Sequence, residues 1–182
     1  AEVRQVWAGA RRACGLEIRR PPAKRREVLV QGEAGAELRA GLGVASLPAR
    51  VGGAMGGFGG LVTRRAEGTL DPPQARALVF EQGELRVAIV AVDIVIPRPN
   101  LRDALLEEVA PLDFDLLALV ATHTHSGPGG YLPGFLAERV TGGEYDPEQP
   151  ARLARAAALA LELAVGDLAP AKLASGSARV AL

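Results

Sequence analysis

The chain has 182 residues, 48% of them hydrophobic and 23% charged, which suffices for one buried core and leaves little room for a second domain. Its 21 basic and 21 acidic side chains cancel, so no global charge draws it to nucleic acid or to an acidic membrane. With four Phe, two Tyr and one Trp there is no stock of aromatics for a surface that stacks single-stranded bases, and Cys14, the only cysteine, excludes both an intramolecular disulfide and a cysteine-built zinc cluster.

The first 39 residues hold nine basic and five acidic side chains, with Arg19, Arg20, Lys24, Arg25 and Arg26 gathered around Pro21 and Pro22. Two prolines stop a helix there, and the absence of interleaved aromatics favours a solvated loop over a nucleic-acid arm. Val28 to Val30 reads as a short strand. No apolar leader core precedes a small-residue cleavage site, and no window approaches the roughly 20 apolar residues of a membrane span. Cytoplasmic and secreted locations both stay open.

From Arg39 the chain reads GLGVASLPARVGGAMGGFGG, a pattern for a strand that enters an irregular glycine-rich loop. The spacing is not that of a dinucleotide fingerprint, and no GK[ST] follows, so the glycines point either to tight packing or to backbone contact with a ligand. Two β-rich runs, 75–81 and 85–92, flank the turn Gln82-Gly83-Glu84 and predict a hairpin. The second run is apolar almost throughout, which predicts a central strand covered on both faces, with Asp93 at its end. Residues 101–110 carry helical spacing with Asn100 as the expected N-cap, and Pro111 ends the segment. A hydrophobic run at 116–121 follows. Strand, helix, strand in that order predicts a parallel crossover, and the fold class is α/β: a single domain with a mixed sheet flanked by helices. Residues 151–165 predict a long Ala/Leu helix, and 172–182 a final short strand.

Both histidines of the chain stand in the loop Thr122 to Tyr131, THTHSGPGGY. In an extended segment His123 and His125 would face one way, since side chains two residues apart share a strand face. Imidazoles suit zinc, yet a catalytic zinc ordinarily takes three protein ligands and a water, so a carboxylate has to join them. Asp93, after the preceding strand, is the candidate that a parallel sheet brings to the same end. Ser126 sets a hydroxyl beside His125, and Gly127, Gly129 and Gly130 let the backbone turn around a polar ligand. Turn hydrogen bonds from Thr122, Thr124 and Ser126 are the plainer alternative.

ATHTHSGPGG at Ala121 to Gly130, continued by Tyr131, resembles the zinc-binding signature of the neutral or alkaline, non-lysosomal ceramidases. LRAGLGVASLP at Leu38 to Pro48, MGGF at Met55 to Phe58, DPPQARALVF at Asp71 to Phe80 and RVAIVAVDI at Arg86 to Ile94 follow in the family's order. The resemblance runs over 38–182, corresponds to the N-terminal part of a much longer catalytic domain, and leaves 1–37 unassigned. It implies zinc-dependent hydrolysis of an N-acyl amide, typically of a sphingolipid. By the same resemblance His125 is the direct metal ligand, with His123 orienting substrate, water or the metal shell, or joining it. Asp93 and Ser126 take supporting roles, and Gly127, Gly129, Gly130 and Tyr131 form a substrate loop. One departure is sharp: Leu70 stands where the family pattern has a further histidine ligand, with Asp71 beside it, and leucine has no lone pair for a metal. Three readings follow: a partial or degenerate ceramidase-like domain, inactive or weak as this chain; a zinc amidohydrolase acting on an N-acyl lipid or other small amide; or a non-catalytic binding or scaffold domain. The sequence sets no oligomeric state.

Overall fold

The computed structural model describes residues 35–57, 64–139 and 143–176. Five strands, β1 (Leu38–Ser46), β2 (Gln74–Gln82), β3 (Leu85–Val92), β4 (Leu116–Ala121) and β5 (Ala169–Pro170), form one sheet in the order β4-β3-β2-β1-β5. The β3–β4 pair is parallel and the other three pairings are antiparallel, so the sheet is mixed as the alternation of elements predicted. Gln82 pairs with Leu85, which leaves the two-residue turn Gly83-Glu84. Gly83 takes the positive φ of 62° that such a turn needs at its first position.

Between β3 and β4 the chain makes helix α1 (Pro99–Glu108) and a 3-10 turn (Ala110–Leu112). Proline occupies the first turn of α1, where its missing N–H costs no hydrogen bond. The N-cap is Arg98 rather than the expected Asn100, and no side chain caps the helix. Asn100 lies within the first turn and donates its Nδ2 to the Tyr131 carbonyl at 2.9 Å, tying α1 to the loop beyond β4. A short helix, α2 (Phe135–Ala137), follows that loop, and α3 (Gln149–Gly166) is the long helix expected at 151–165.

Helix α3 lies on β1 and β2, with α1 beside it. The approach to β1 is backbone to backbone. A Cβ at Gly41 would fall 2.0 Å from the Ala164 carbonyl oxygen, and one at Gly43 would fall 2.0 Å from that of Ala160. Alanines 154, 157, 160 and 164 line the facing side of α3, all buried, with Leu153 and Leu161 reaching past them to Val79 and Val90 in the same core. Alanine therefore dominates this layer because the helix sits too close for larger side chains. Leu101 and Leu105 of α1 close the core on its other flank.

Two expectations are corrected. β3 was expected to be covered on both faces, yet among the described residues the helices cover one face only, and Ile89 on the other is 41% exposed. A run of apolar residues signals burial without saying how many layers supply it. The final strand was expected at 172–182, but 172–176 are irregular and the last described strand is the two-residue β5, slightly earlier. Its pairing partner is the edge of β1, reached as soon as α3 ends. Residues 177–182 and the strand expected at Val28 to Val30 lie outside the described residues. Among the described residues no helix is long and apolar enough to cross a membrane.

The seam between β1 and α3 makes a sharp prediction. Gly43→Ala should destabilise the fold by at least about 2 kcal/mol, because the clash is with backbone that cannot rotate away. Gly68→Ala, whose Cβ meets nothing within 4 Å, serves as the control in the same urea titrations and should change stability by less than about 0.5 kcal/mol.

Candidate functional site

The start of β2 and the ends of β3 and β4 lie at one end of the sheet, because β3 runs antiparallel to β2 and parallel to β4. Asp93, one residue beyond β3, is the junction of all three. Its carboxylate accepts the Gln74 N–H at 2.9 Å, the Arg76 guanidinium at 3.1 Å and the Thr122 hydroxyl at 3.0 Å. Partial burial by itself would raise the carboxyl pKa, but these three donors outweigh it and hold Asp93 below the usual carboxylate range. Asp93 thus joins the ends of three strands.

Beyond β4 the backbone leaves the strand at once. His123 adopts φ 61°, the left-handed region, so the two histidines are not on one face of an extended segment as expected. They meet by a turn instead, with ring centroids 5.2 Å apart and planes at 65°. Nδ1 of His123 lies 2.8 Å from the Val95 carbonyl. A carbonyl only accepts, so Nδ1 carries the proton, and in the ring's neutral form the lone pair would sit on Nε2, the arrangement of a metal-ligating imidazole. His123 is therefore no less suited than His125 to donate to a ligand.

The two glycine-rich stretches pack on each other. Gly56 N–H donates to the Gly127 carbonyl at 3.1 Å and Gly129 N–H to the Ala54 carbonyl at 2.7 Å, joining the β1–β2 connection to the histidine loop. A Cβ on Gly57 would lie 2.4 Å from Cγ of His125, and one on Gly127 would lie 2.2 Å from the Asp93 carbonyl oxygen. Of the two readings of these glycines, tight packing accounts for Gly57 and Gly127. Sequence reasoning did not find Gly57 as the seat of His125 or Val95 as the partner of His123; the MGGF and VDIV segments carried the only signal.

Ser126 is exposed, and its N–H donates to the Thr124 hydroxyl oxygen at 3.1 Å, a turn contact of the plainer kind. Tyr131 is fully buried. Its hydroxyl donates to the Ile96 carbonyl at 3.1 Å and accepts the Ile96 N–H at 3.3 Å, so burial pushes its pKa up while these bonds anchor the loop to the segment after β3. Gly130, with φ 77°, makes the turn between the two. Next to the loop opens a cleft of about 840 Å³ whose walls include Ser126, Gly127, Gly129, Leu70 and Asp71. Leu70 stands 97% exposed at its wall, and Arg152, paired with Asp146 and Glu148, closes the far side.

The donor set decides what the site holds. Among the described residues no group of three His, Cys, Asp or Glu side chains converges on one point. Two imidazoles stand together, the nearest carboxylate in the strand framework is committed to Gln74, Arg76 and Thr122, and Leu70 offers no donor. These residues do not complete the three-ligand shell of a catalytic zinc, and no reaction step through a metal follows from them.

A histidine pair on a turn at the end of a mixed sheet flanked by helices defines an α/β fold that bears a candidate site. Comparison with known proteins says which one. Residues 41–181 match the family model for the N-terminal region of neutral/alkaline non-lysosomal ceramidases, and the chain belongs to that family. It is 30% identical over 118 residues to a neutral ceramidase of Mycobacterium tuberculosis, an alignment covering 60% of this chain and 18% of that protein. The crystal structure of neutral ceramidase from Pseudomonas aeruginosa superposes with a TM-score of 0.65 at 24% identity, over 74% of this chain and 22% of that one, and shares the fold. The chain thus spans about a fifth of the length of these relatives.

The Asp93 junction predicts a pH dependence. A carboxyl whose folded pKa is depressed contributes stability above its unfolded value, near 3.9, and that contribution is lost as pH falls through the folded value. Stability from Asp93 should therefore be constant near neutrality and decline from about pH 4 downward. Asp93→Asn should lower stability at pH 7 and flatten the acid limb in denaturant titrations between pH 2 and 7; an unchanged acid limb would remove Asp93 from this role.

Proposed function

We propose that this chain is a partial or degenerate ceramidase-type domain that carries the histidine portion of an N-acyl amide hydrolase site and is inactive or weak by itself. The observation that carries this reading is the state of the donors: two adjacent imidazoles, one with its tautomer set by Val95, and, among the described residues, no third ligand converging on them. In a complete site of this kind a zinc ion would acidify a water and polarise the amide carbonyl. Here the residues contribute position. Val95 and Gly57 hold the two rings, Asp93 holds the strand ends beneath them, and the cleft beside Ser126 and Gly127 gives room for an acyl chain or a small amide. The sphingolipid-like substrate class rests on family membership.

The cleft favours a second reading, a non-catalytic domain that binds an N-acyl ligand without cleaving it. Its walls set apolar side chains such as Met55 and Leu70 beside the charged groups of Arg50, Arg65, Asp71, Glu144, Asp146 and Arg152, so an acyl chain and a polar head would each find a partner.

Metal analysis after dialysis against a weak chelator, followed by turnover of a fluorogenic N-acyl amide with and without added zinc, separates these readings. The expected result is well under one zinc per chain and no zinc-dependent turnover above a His125→Ala control. Ligand-induced thermal stabilisation without turnover would select the binding reading, and zinc-dependent cleavage lost in His125→Ala would overturn inactivity. Titration with Co²⁺ tests the histidine pair itself: His123→Ala and His125→Ala should each weaken binding by about tenfold or more, an effect of the size seen when one ligand or its orienting partner is removed.

A further inference from the structure

Tyr131 supports the histidine turn from inside the core. Its ring is fully buried, in the same cluster as Leu101 and Leu105 of α1, and its own carbonyl accepts Asn100 Nδ2 at 2.9 Å. The hydroxyl reaches the segment after β3, accepting the Ile96 N–H at 3.3 Å and donating to the Ile96 carbonyl at 3.1 Å. That N–H belongs to the same planar peptide unit as the Val95 carbonyl, and the Val95 carbonyl is the group that lies 2.8 Å from Nδ1 of His123. One rigid plane therefore bonds to both residues, to Tyr131 through its N–H edge and to His123 through its C=O edge. Gly56 leaves the Val95 side chain its seat, since a Cβ there would fall 2.9 Å from Val95 Cγ2.

We propose that Tyr131 is a positioning residue for His123: through the peptide unit between Val95 and Ile96, its hydroxyl fixes which imidazole nitrogen carries the proton and leaves Nε2 as the ring's donor. Proton accounting makes the arrangement one-way. A phenol has one proton to donate, and Tyr131 gives it to the Ile96 carbonyl, so towards the Val95–Ile96 unit the hydroxyl only accepts. Turning that unit over would set the Val95 carbonyl against an oxygen whose proton is already committed. Two acceptors would then face each other out of water, an arrangement that buried polar groups ordinarily avoid. The Ile96 N–H would at the same time point at Nδ1, and a donor there demands the opposite tautomer, with the proton on Nε2 and no lone pair left for a metal. The hydroxyl thus excludes the peptide orientation that would disarm the ring. What the ring does with its lone pair rests on the reading of the pair as part of an amide hydrolase site, whereas the position of the proton is a property of this chain with or without activity.

Long-range ¹H–¹⁵N correlation of the imidazoles on the whole chain, at about pH 8.5 where an ordinary imidazole is neutral, reads the tautomer directly. The chain has two histidines, and His125→Ala assigns the signals. The expected wild-type pattern is a protonated, pyrrole-type Nδ1 and a pyridine-type Nε2 at His123, together with a slowly exchanging Ile96 amide. Tyr131→Phe should draw the two nitrogen shifts towards each other, speed exchange at Ile96 and weaken Co²⁺ binding about threefold or more, somewhat less than the loss of a direct orienting partner. Asn100→Ala is the control, because it loosens the same loop without touching the Val95–Ile96 unit; it should lower stability and leave the tautomer as it is. If circular dichroism shows that Tyr131→Phe does not fold, biosynthetic 3-fluorotyrosine in a Tyr145→Phe background replaces it. Its hydroxyl is a weaker acceptor on the same ring and should move the His123 nitrogens in the same direction. A wild-type His123 with its proton on Nε2, a tautomer that loss of the hydroxyl leaves unchanged, or an equal change in Asn100→Ala would each overturn the proposal. A tautomer that follows the hydroxyl in a chain that binds no Co²⁺ would support the role of Tyr131 and count against the metal-ligand reading of the pair.

Discussion

Helix α3 rests on β1 with no side chain between them. Gly41 and Gly43 bring the strand backbone against the carbonyls of Ala164 and Ala160, and the alanines around that contact exist at the spacing it leaves. The rest of the domain is arranged from this seam outward. β1 sits beside β2, β2 beside β3, and the far end of the sheet is where the loops converge. A one-carbon change at the seam would lift the helix and loosen the layer that holds every strand in register, since close-packed interiors transmit such displacements rather than absorb them.

The same device recurs at the site on a smaller scale. Gly57 lets the His125 ring lie against backbone, and Gly127 lets the loop pass over the Asp93 carbonyl. Asp93 then joins three strand ends through a main-chain amide, a guanidinium and a hydroxyl. Together these contacts make the histidine turn a rigid extension of the sheet. Rigidity and chemistry remain separate matters, however. The framework holds two imidazoles together, while the donors around them, among the described residues, stop short of a metal shell. Membership of the ceramidase family accounts for the framework.

One-sided cover is the other consequence of the topology. Among the described residues helices α1 and α3 shield a single face, and the opposite face carries Leu42, Val44, Ile89 and Val120 exposed. The near-uniform hydrophobicity of β3 is met by helix cover on one face only among the described residues, with Ile89 on the other face 41% exposed. The cost of leaving such a face wet is substantial, at roughly 25 cal/mol for each Å² of apolar surface.

Much of the fold was legible in the sequence because local patterns decide local structure. Two β-rich runs and a glycine turn marked the β2–β3 hairpin, helical spacing marked α1 and an Ala/Leu run marked α3, and the strand, helix, strand order pointed to a parallel β3–β4 pair. The THTHSGPGG motif identified the loop and, with four flanking motifs, the family. What the sequence could not hold was any quantity set by contact between distant segments. Asn100 looked like a cap until Tyr131 offered its carbonyl; the partners of Asp93, which are Gln74, Arg76 and Thr122, carried no local signal. His123 and His125 were expected to share a strand face, and only the left-handed turn at His123, with Val95 beneath it, decided how they meet. Sequence periodicity reports which residues seek burial and which turns the backbone permits. Which groups find one another, and which faces and donors are left without a partner, is decided by tertiary packing, because those contacts join residues whose separation along the chain carries no local signal.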